Sequence, residues 1–183
     1  MDMSKNVLIL TGSPRKGGNS DILADAFEKG LKGHNVKRIS VYDLKIGGCR
    51  ACNGCWNSKG NCVFKDGMEQ IQEALEEADV LVVATPIYWS LVPGPLKSVI
   101  DRFYQYDPVN GGKHLAIGES VLLTTGETEN DSDFDLIKKF FSGMCEFNGM
   151  KVVDMISVPN VNFRGDIEGN EALARAESLA ASL

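Results

Sequence analysis

The stretch VLILTGSPRKGGNS, Val7 to Ser20, decides how the chain folds. Val7-Leu8-Ile9-Leu10 is an unbroken apolar run, the pattern of a strand buried on both faces. A turn rich in glycine, hydroxyl and amide groups follows. From Ile22, apolar residues return as Leu23, Ala26, Phe27 and Leu31, one face of a helix. Strand, polar turn and helix make the first half of a βαβ unit, and the alternation continues downstream. Val36 to Leu44 reads as a weaker strand, with Ile39 and Val41 set against polar neighbours as at a sheet edge. Asp66 reads as a helix N-cap with Glu69 three residues on, and Ile71, Leu75 and Ala78 supply that helix's apolar side. Val80 to Ala84 is a second fully apolar strand. Leu96, Val99, Ile100 and Phe103 mark a helix, Val121 to Leu123 a strand, and Phe134, Ile137, Phe140, Phe141 and Met144 a helix. Val152 to Val158 is the fifth strand and Glu171 to Leu179 the last helix.

Five strands alternating with helices predict an α/β fold with a parallel sheet and right-handed crossovers. An edge-like second strand favours the flavodoxin-like order 2-1-3-4-5 in a three-layer sandwich. Ligands in such sheets bind beyond the strands' carboxyl ends, here between the first and third strands. The 183 residues carry no repeat or linker, so one domain is expected over 1–183, with a cysteine-rich loop at 45–65.

The net charge of −6 argues against a nucleic-acid partner, because phosphate neutralisation needs a basic face. No apolar run approaches the ~20 residues of a membrane span. MDMSKNVLIL passes directly into a strand without a signal-cleavage pattern, so the expected compartment is cytoplasmic. In that compartment clustered cysteines serve metal or redox chemistry more often than structural disulfides.

The turn TGSPRKGGNS, Thr11 to Ser20, suits a phosphate: Gly12, Gly17 and Gly18 let backbone N–H groups turn inward, and a helix N-terminus follows. The Lys-Ser/Thr pair of a Walker A loop is missing after Gly17, and no G-x-G-x-x-G occurs, so a single terminal phosphate fits best. PIYWS, after the third strand, offers an apolar wall for a flat aromatic ligand, and TTGE, Thr124 to Glu127, closes the opposite side. Lys97 and Asp101 form a structural i,i+4 pair. His34 and His114 read as surface or capping residues, Cys145 as a core thiol, and no residue is assigned a catalytic acid or base role. VPNVNFRGDIEGN, Val158 to Asn170, is assigned either as cover for the site or as subunit contact.

GSPRKGGNS, PIYWSLVPGPLKSVIDR and the cysteine loop between them resemble the NAD(P)H-dependent FMN reductases of the flavodoxin-like superfamily, and within these the iron–sulfur flavoproteins. The match covers about residues 5 to 127. The resemblance implies FMN, with its phosphate at Ser13, Arg15, Asn19 and Ser20. It places the ring against Pro86, Ile87, Tyr88, Trp89 and Ser90, with Thr125 and Gly126 on the far side. It implies a homodimer or homotetramer, and an enzyme taking electrons from NAD(P)H or a small carrier through flavin N5 to a small-molecule or protein acceptor. Two alternatives are a non-enzymatic iron–sulfur electron carrier and a binding module with a vestigial flavin site.

CRACNGCWNSKGNC, Cys49 to Cys62, holds four of the five cysteines with C-x2-C-x2-C-x6-C spacing. Cys49, Cys52, Cys55 and Cys62 are a suitable ligand set for a [4Fe–4S] cluster. Zinc, which prefers two separated knuckles, a redox disulfide, and free thiols remain as alternatives. KDGM, Lys65 to Met68, departs from the resemblance by placing glycine where relatives commonly carry a second aspartate.

Overall fold

β1 (Asn6–Thr11), β2 (Asn35–Ser40), β3 (Val80–Pro86), β4 (Glu119–Thr125) and β5 (Lys151–Val158) pair in parallel in the order β2-β1-β3-β4-β5, as the sequence predicts. The structure, a computed structural model, describes residues 4–107 and 113–183. Six α-helices are described: α1 (Asn19–Gly30), α2 (Gly54–Asn57), α3 (Met68–Glu77), α4 (Gly94–Asp101), α5 (Asp135–Phe147) and α6 (Glu171–Ala180).

The two-residue period of the strands sorts the core into two layers. Val7, Ile9, Val80, Val82, Val121 and Leu123 point to the face covered by α1 and α6. Leu8, Leu10, Leu81, Val83 and Leu122 point to the face covered by α3, α4 and α5. Each such side chain contributes about 1.5–3 kcal/mol by leaving water. Cys145 is a core thiol, as expected: it is buried on α5, Ser120 Oγ donates to its sulfur at 3.2 Å, and burial raises its pKa.

Two local expectations need correction. The predicted second strand, Val36 to Leu44, stops at Ser40 and becomes a 3-10 turn at Val41–Asp43. Ser40 pairs with Thr11, the last residue of β1, so an edge strand has no partner beyond it. The predicted capping box at Asp66 and Glu69 forms only in part. Asp66 Oδ1 accepts from Met68 N at 3.0 Å, but Gly67 is the N-cap and Glu69 pairs with Lys65 instead. No helix among the described residues is long and apolar enough to cross a membrane.

α1 and α6 touch through their backbones at Gly30. A Cβ there would stand 2.2 Å from Glu177 O and 2.8 Å from Ala180 Cβ. Gly30→Ala therefore costs about 1–3 kcal/mol by forcing the helices apart. Gly143→Ala, in the exposed interior of α5 with nothing within 4 Å, gains roughly 0.5–1 kcal/mol. Urea unfolding of the two variants should move in opposite directions from the wild type.

Candidate functional site

The sheet ladder continues one residue past its strands. Gly12 N donates to Ala84 O at 2.8 Å, Ile87 N to Thr125 O at 2.9 Å, and Gly126 N to Val158 O at 3.0 Å. The loops after β1, β3, β4 and β5 thus leave the carboxyl edge in register and enclose a cavity of about 350 Å³. That volume lies within the range of small-molecule sites.

One end of the cavity is polar. Ser13, Arg15, Gly18, Asn19 and Ser20 line it. Arg15 N donates to Ser13 Oγ at 3.1 Å, which tightens the turn, and Gly17 takes a left-handed φ of 65° that suits glycine. No side chain caps α1, so its N-terminal N–H groups and dipole remain for an anion. The other end is more apolar and is lined by Pro86 to Trp89 and by Thr125, Gly126 and Glu127, with Ile87 packed on Gly126. Ten predicted residues, Ser13, Arg15, Asn19, Ser20, Pro86, Ile87, Tyr88, Trp89, Thr125 and Gly126, line one cavity, while Ser90 lies outside its lining.

Ser90 has a different part. Tyr88 and Leu91 form an isolated antiparallel bridge, with Tyr88 N to Leu91 O at 2.8 Å. Trp89 and Ser90 between them have φ of 52° and 61°. Two consecutive left-handed residues define a type I′ turn, which normally carries Asn-Gly. Here it carries a tryptophan that is 99% exposed. The strain sits at the mouth of the cavity, where the fold holds a large aromatic ring out to solvent.

The segment after β5 covers the polar end. Val161 and Asn162 line the cavity. Arg15 Nη1 donates to Asn162 O at 2.9 Å, Asn19 Nδ2 donates to Phe163 O at 2.8 Å, and Gly165 N donates to Asn19 Oδ1 at 3.0 Å. Of the two roles read for this segment, the geometry favours cover. Asn19 spends both ends of its carboxamide on this strap. The sequence marks this segment as cover or subunit contact, but not its partners, since the strap meets Arg15 and Asn19 through backbone groups.

The cysteine loop leaves beyond β2 and is anchored on the segment that follows α4. Arg102 is 4% exposed. Its Nη1 donates to both oxygens of Asp66 at 2.7 Å and to Gly47 O at 3.4 Å, and its Nη2 donates to Phe64 O at 3.3 Å. One guanidinium thereby joins the two ends of the loop. Gln105 Oε1 accepts from Cys62 N at 3.1 Å, and Trp56 packs on Tyr104 with ring centroids 5.9 Å apart. Sequence reasoning missed Arg102 and Gln105 as supports, because nothing local links them to residues some forty positions earlier.

Cys49 and Cys52 are exposed, and Cys55 and Cys62 are partly buried. Burial raises the Cys55 pKa, and the charges of Cys62, Cys49 and Cys52 add to it, so the four thiols share one neighbourhood. Ala51, Asn53 and Lys59 have left-handed φ of 49°, 55° and 52°, which fold the loop into a series of tight turns. Four thiols are the right donors in the right number for an iron–sulfur cluster. As folded, however, no three Cys, His, Asp or Glu among the described residues stand together at ligand spacing.

A parallel sheet of this order carries its cavity at the switch point between β1 and β3, where mononucleotides bind in flavodoxin-like folds. The chain belongs to the NADPH-dependent FMN reductase family, which matches residues 5–140. An iron–sulfur flavoprotein of Archaeoglobus fulgidus is 35% identical over 121 residues, 64% of this chain and 53% of that relative. The chain thus spans about half the length of that curated relative. YwqN of Bacillus subtilis, named provisionally as an NAD(P)H-dependent FMN-containing oxidoreductase, is 33% identical over 94% of this chain and 95% of its own. The solved NAD(P)H:quinone oxidoreductase from Methanothermobacter marburgensis superposes with a TM-score of 0.75 at 21% identity, covering 98% of this chain and 97% of that one, which establishes the shared fold.

Two outcomes follow from the local geometry. Asp66→Ala strands the buried Arg102 charge and costs about 3 kcal/mol. Burial pushes the Asp66 carboxyl up, but hydrogen bonds from Arg102, Gly47 N and Met68 N, with the Arg102 charge, hold it below the usual range. Its contribution is therefore full above the ordinary carboxylate pKa and disappears as pH falls through the lowered folded value. The stability gap between wild type and Asp66→Ala should accordingly narrow in acid unfolding experiments. Replacing Trp89-Ser90 by Asn-Gly relieves the turn and raises stability by roughly 1–2 kcal/mol, measurable as a higher Tm.

Proposed function

We propose that the chain is an FMN-dependent oxidoreductase, taking electrons from NAD(P)H or a small carrier and passing them to a small-molecule or protein acceptor. One observation carries this reading: an uncapped helix N-terminus with Arg15 beside it ends the same cavity whose other end is walled by Pro86–Trp89 and Thr125–Gly126. The residues present fit FMN, a phosphate at the first end and a flat ring at the second. When bound, FMN supplies the hydride and single-electron chemistry at its N5.

The chain's own part is placement. Ser13, Arg15, Asn19 and Ser20 would hold the phosphate, with Asn19 also fixing the strap. Ile87 and Gly126, which pack against each other, would meet the ring together, and backbone groups there would orient it. Tyr88 and Trp89, both exposed, give a flat donor or acceptor a surface on which to stack. Phe140, Met144 and Phe147 on α5 line an apolar groove against the α4 side, which supports the homodimer or homotetramer that the family resemblance implies.

Titration of apoprotein with FMN, followed by flavin fluorescence and then by NADH and NADPH oxidation, tests the reading. The expected result is one FMN per chain and donor-dependent bleaching. Ser20→Asp, which puts a like charge at the phosphate end, should raise the FMN Kd at least about tenfold. Protein that refuses FMN sinks the assignment.

A second reading is favoured by the shared neighbourhood of four thiols: an iron–sulfur electron carrier with a [4Fe–4S] cluster on Cys49, Cys52, Cys55 and Cys62. The donors fit and the spacing as folded does not, so the loop would have to close around the cluster. Iron and acid-labile sulfide assays on protein purified without oxygen decide it. About four of each per chain, lost in Cys55→Ser, supports the cluster; their absence leaves free thiols.

A further inference from the structure

The chain's arginines divide by partner. Arg38, Arg102 and Arg175 each pair with carboxylates, and Arg50 lies over the Phe64 ring. Arg15 donates only to a backbone carbonyl, and Arg164 has no hydrogen-bond or ion-pair partner among the described residues. In a chain of net charge −6, carboxylates are in excess. Two arginines without carboxylate partners lie by the turn after β1, whose own carboxylate, Asp21, accepts from Gly17 N at 2.8 Å and is already paired with Arg38, so both guanidinium groups are left to attract an anion.

Arg164 is placed there by its neighbours. Phe163 O and Gly165 N, on either side of it, are both held by the Asn19 carboxamide. Asp166 Oδ2 accepts from Asn162 N at 2.9 Å and Phe163 N at 2.7 Å, which folds the strap into a tight turn. The guanidinium consequently lies against Gly17: a Cβ on that residue would stand 2.5 Å from Arg164 Nη2 and 3.2 Å from Cζ. Gly17 adjoins Gly18, which lines the polar end of the cavity. Arg15 lines this end from the turn itself, and Arg164 lies just outside the lining, exposed, with its guanidinium one residue away at Gly17.

We propose that Arg164 is a second phosphate-recognition residue, carried by the strap, which makes the site discriminate FMN from riboflavin. The inference rests on the FMN reading above and adds a residue that no local motif marks. Guanidinium groups suit this role because their fork of donors matches phosphate oxygens. The strap gives the arrangement its specificity. Asn19 pins the backbone on both sides of Arg164, so its unpartnered guanidinium is kept within a short swing of a ligand phosphate at the α1 N-terminus.

The test compares FMN and riboflavin binding to wild type, Arg164→Gln and Arg164→Lys by fluorescence quenching at two salt concentrations. Arg164 is exposed, so the variants should fold with an unchanged Tm. The expected result for Arg164→Gln is a rise of about tenfold in the FMN Kd, an unchanged riboflavin Kd, and a weaker salt dependence for FMN. Arg164→Lys should fall between. Equal weakening for both flavins, or no change for either, overturns the proposal while leaving the FMN reading standing. Unchanged FMN binding in Arg164→Gln, with a KM raised for NADPH and not for NADH in a parallel oxidation assay, overturns it in favour of the nicotinamide cofactor's phosphate. Wild-type protein that binds neither flavin overturns both readings.

Discussion

A parallel sheet buried on both faces leaves only its ends for polar chemistry. Strands β1, β3 and β4 are apolar on both sides, and the helices over each face shut water out. Every parallel strand ends at the same edge, so the loops that can hold polar groups without a burial penalty are gathered there by topology. The turn after β1, the hairpin-like loop after β3, the glycine turn after β4 and the strap after β5 meet because the sheet order is β2-β1-β3-β4-β5. The cavity follows from that constraint more than from any one contact.

Within the constraint, two polar residues do the joining that the sheet cannot. Asn19 ties the start of α1 to the strap, and Arg102 ties the two ends of the cysteine loop to the segment after α4. Both work by hydrogen-bonding backbone groups of segments far away in the chain. Their costs differ. Asn19 is neutral and near the surface. Arg102 is a buried charge whose Nε has no partner, and it is tolerable because Asp66 and two carbonyls take the remaining donors. Burial works to lower its pKa, but the hydrogen bond to Asp66 and the charge of Cys62 lead the effects that hold it high, so it stays a cation.

The fold was legible because its signals are local. Val7–Leu10 and Val80–Ala84 announce buried strands by composition alone, and the sheet order then places their loops together. The loops that line the cavity were legible for the same reason, while the individual residues on them came from the family resemblance. What the sequence concealed is long-range. The strap meets the β1 turn across 147 and 144 residues through backbone carbonyls, which carry no side-chain signature. Arg102 meets Asp66 across 36 residues, and its neighbour Asp101 with Lys97 offers a more obvious helical pair that draws attention away from it. Ser90 is the converse case. Its place in a five-residue motif suggested a ring contact, whereas its backbone angle makes it part of a strained turn.

That turn bears on how the site is built. Left-handed conformations at a bulky residue cost of order 1–2 kcal/mol each, and the fold accepts this at Trp89 and Ser90 together. Nothing in the core requires it: the bridge between Tyr88 and Leu91 could be closed by Asn-Gly with less strain. The strain instead fixes where the Trp89 ring goes, outward at the mouth of the cavity. The polar end and the apolar end of the cavity are therefore held by opposite means. The first is secured by hydrogen bonds from elements at the two ends of the chain, so opening it breaks tertiary contacts. The second is a short self-contained turn that can respond without disturbing the sheet. A ligand anchored at the first end and exchanging partners at the second needs that asymmetry.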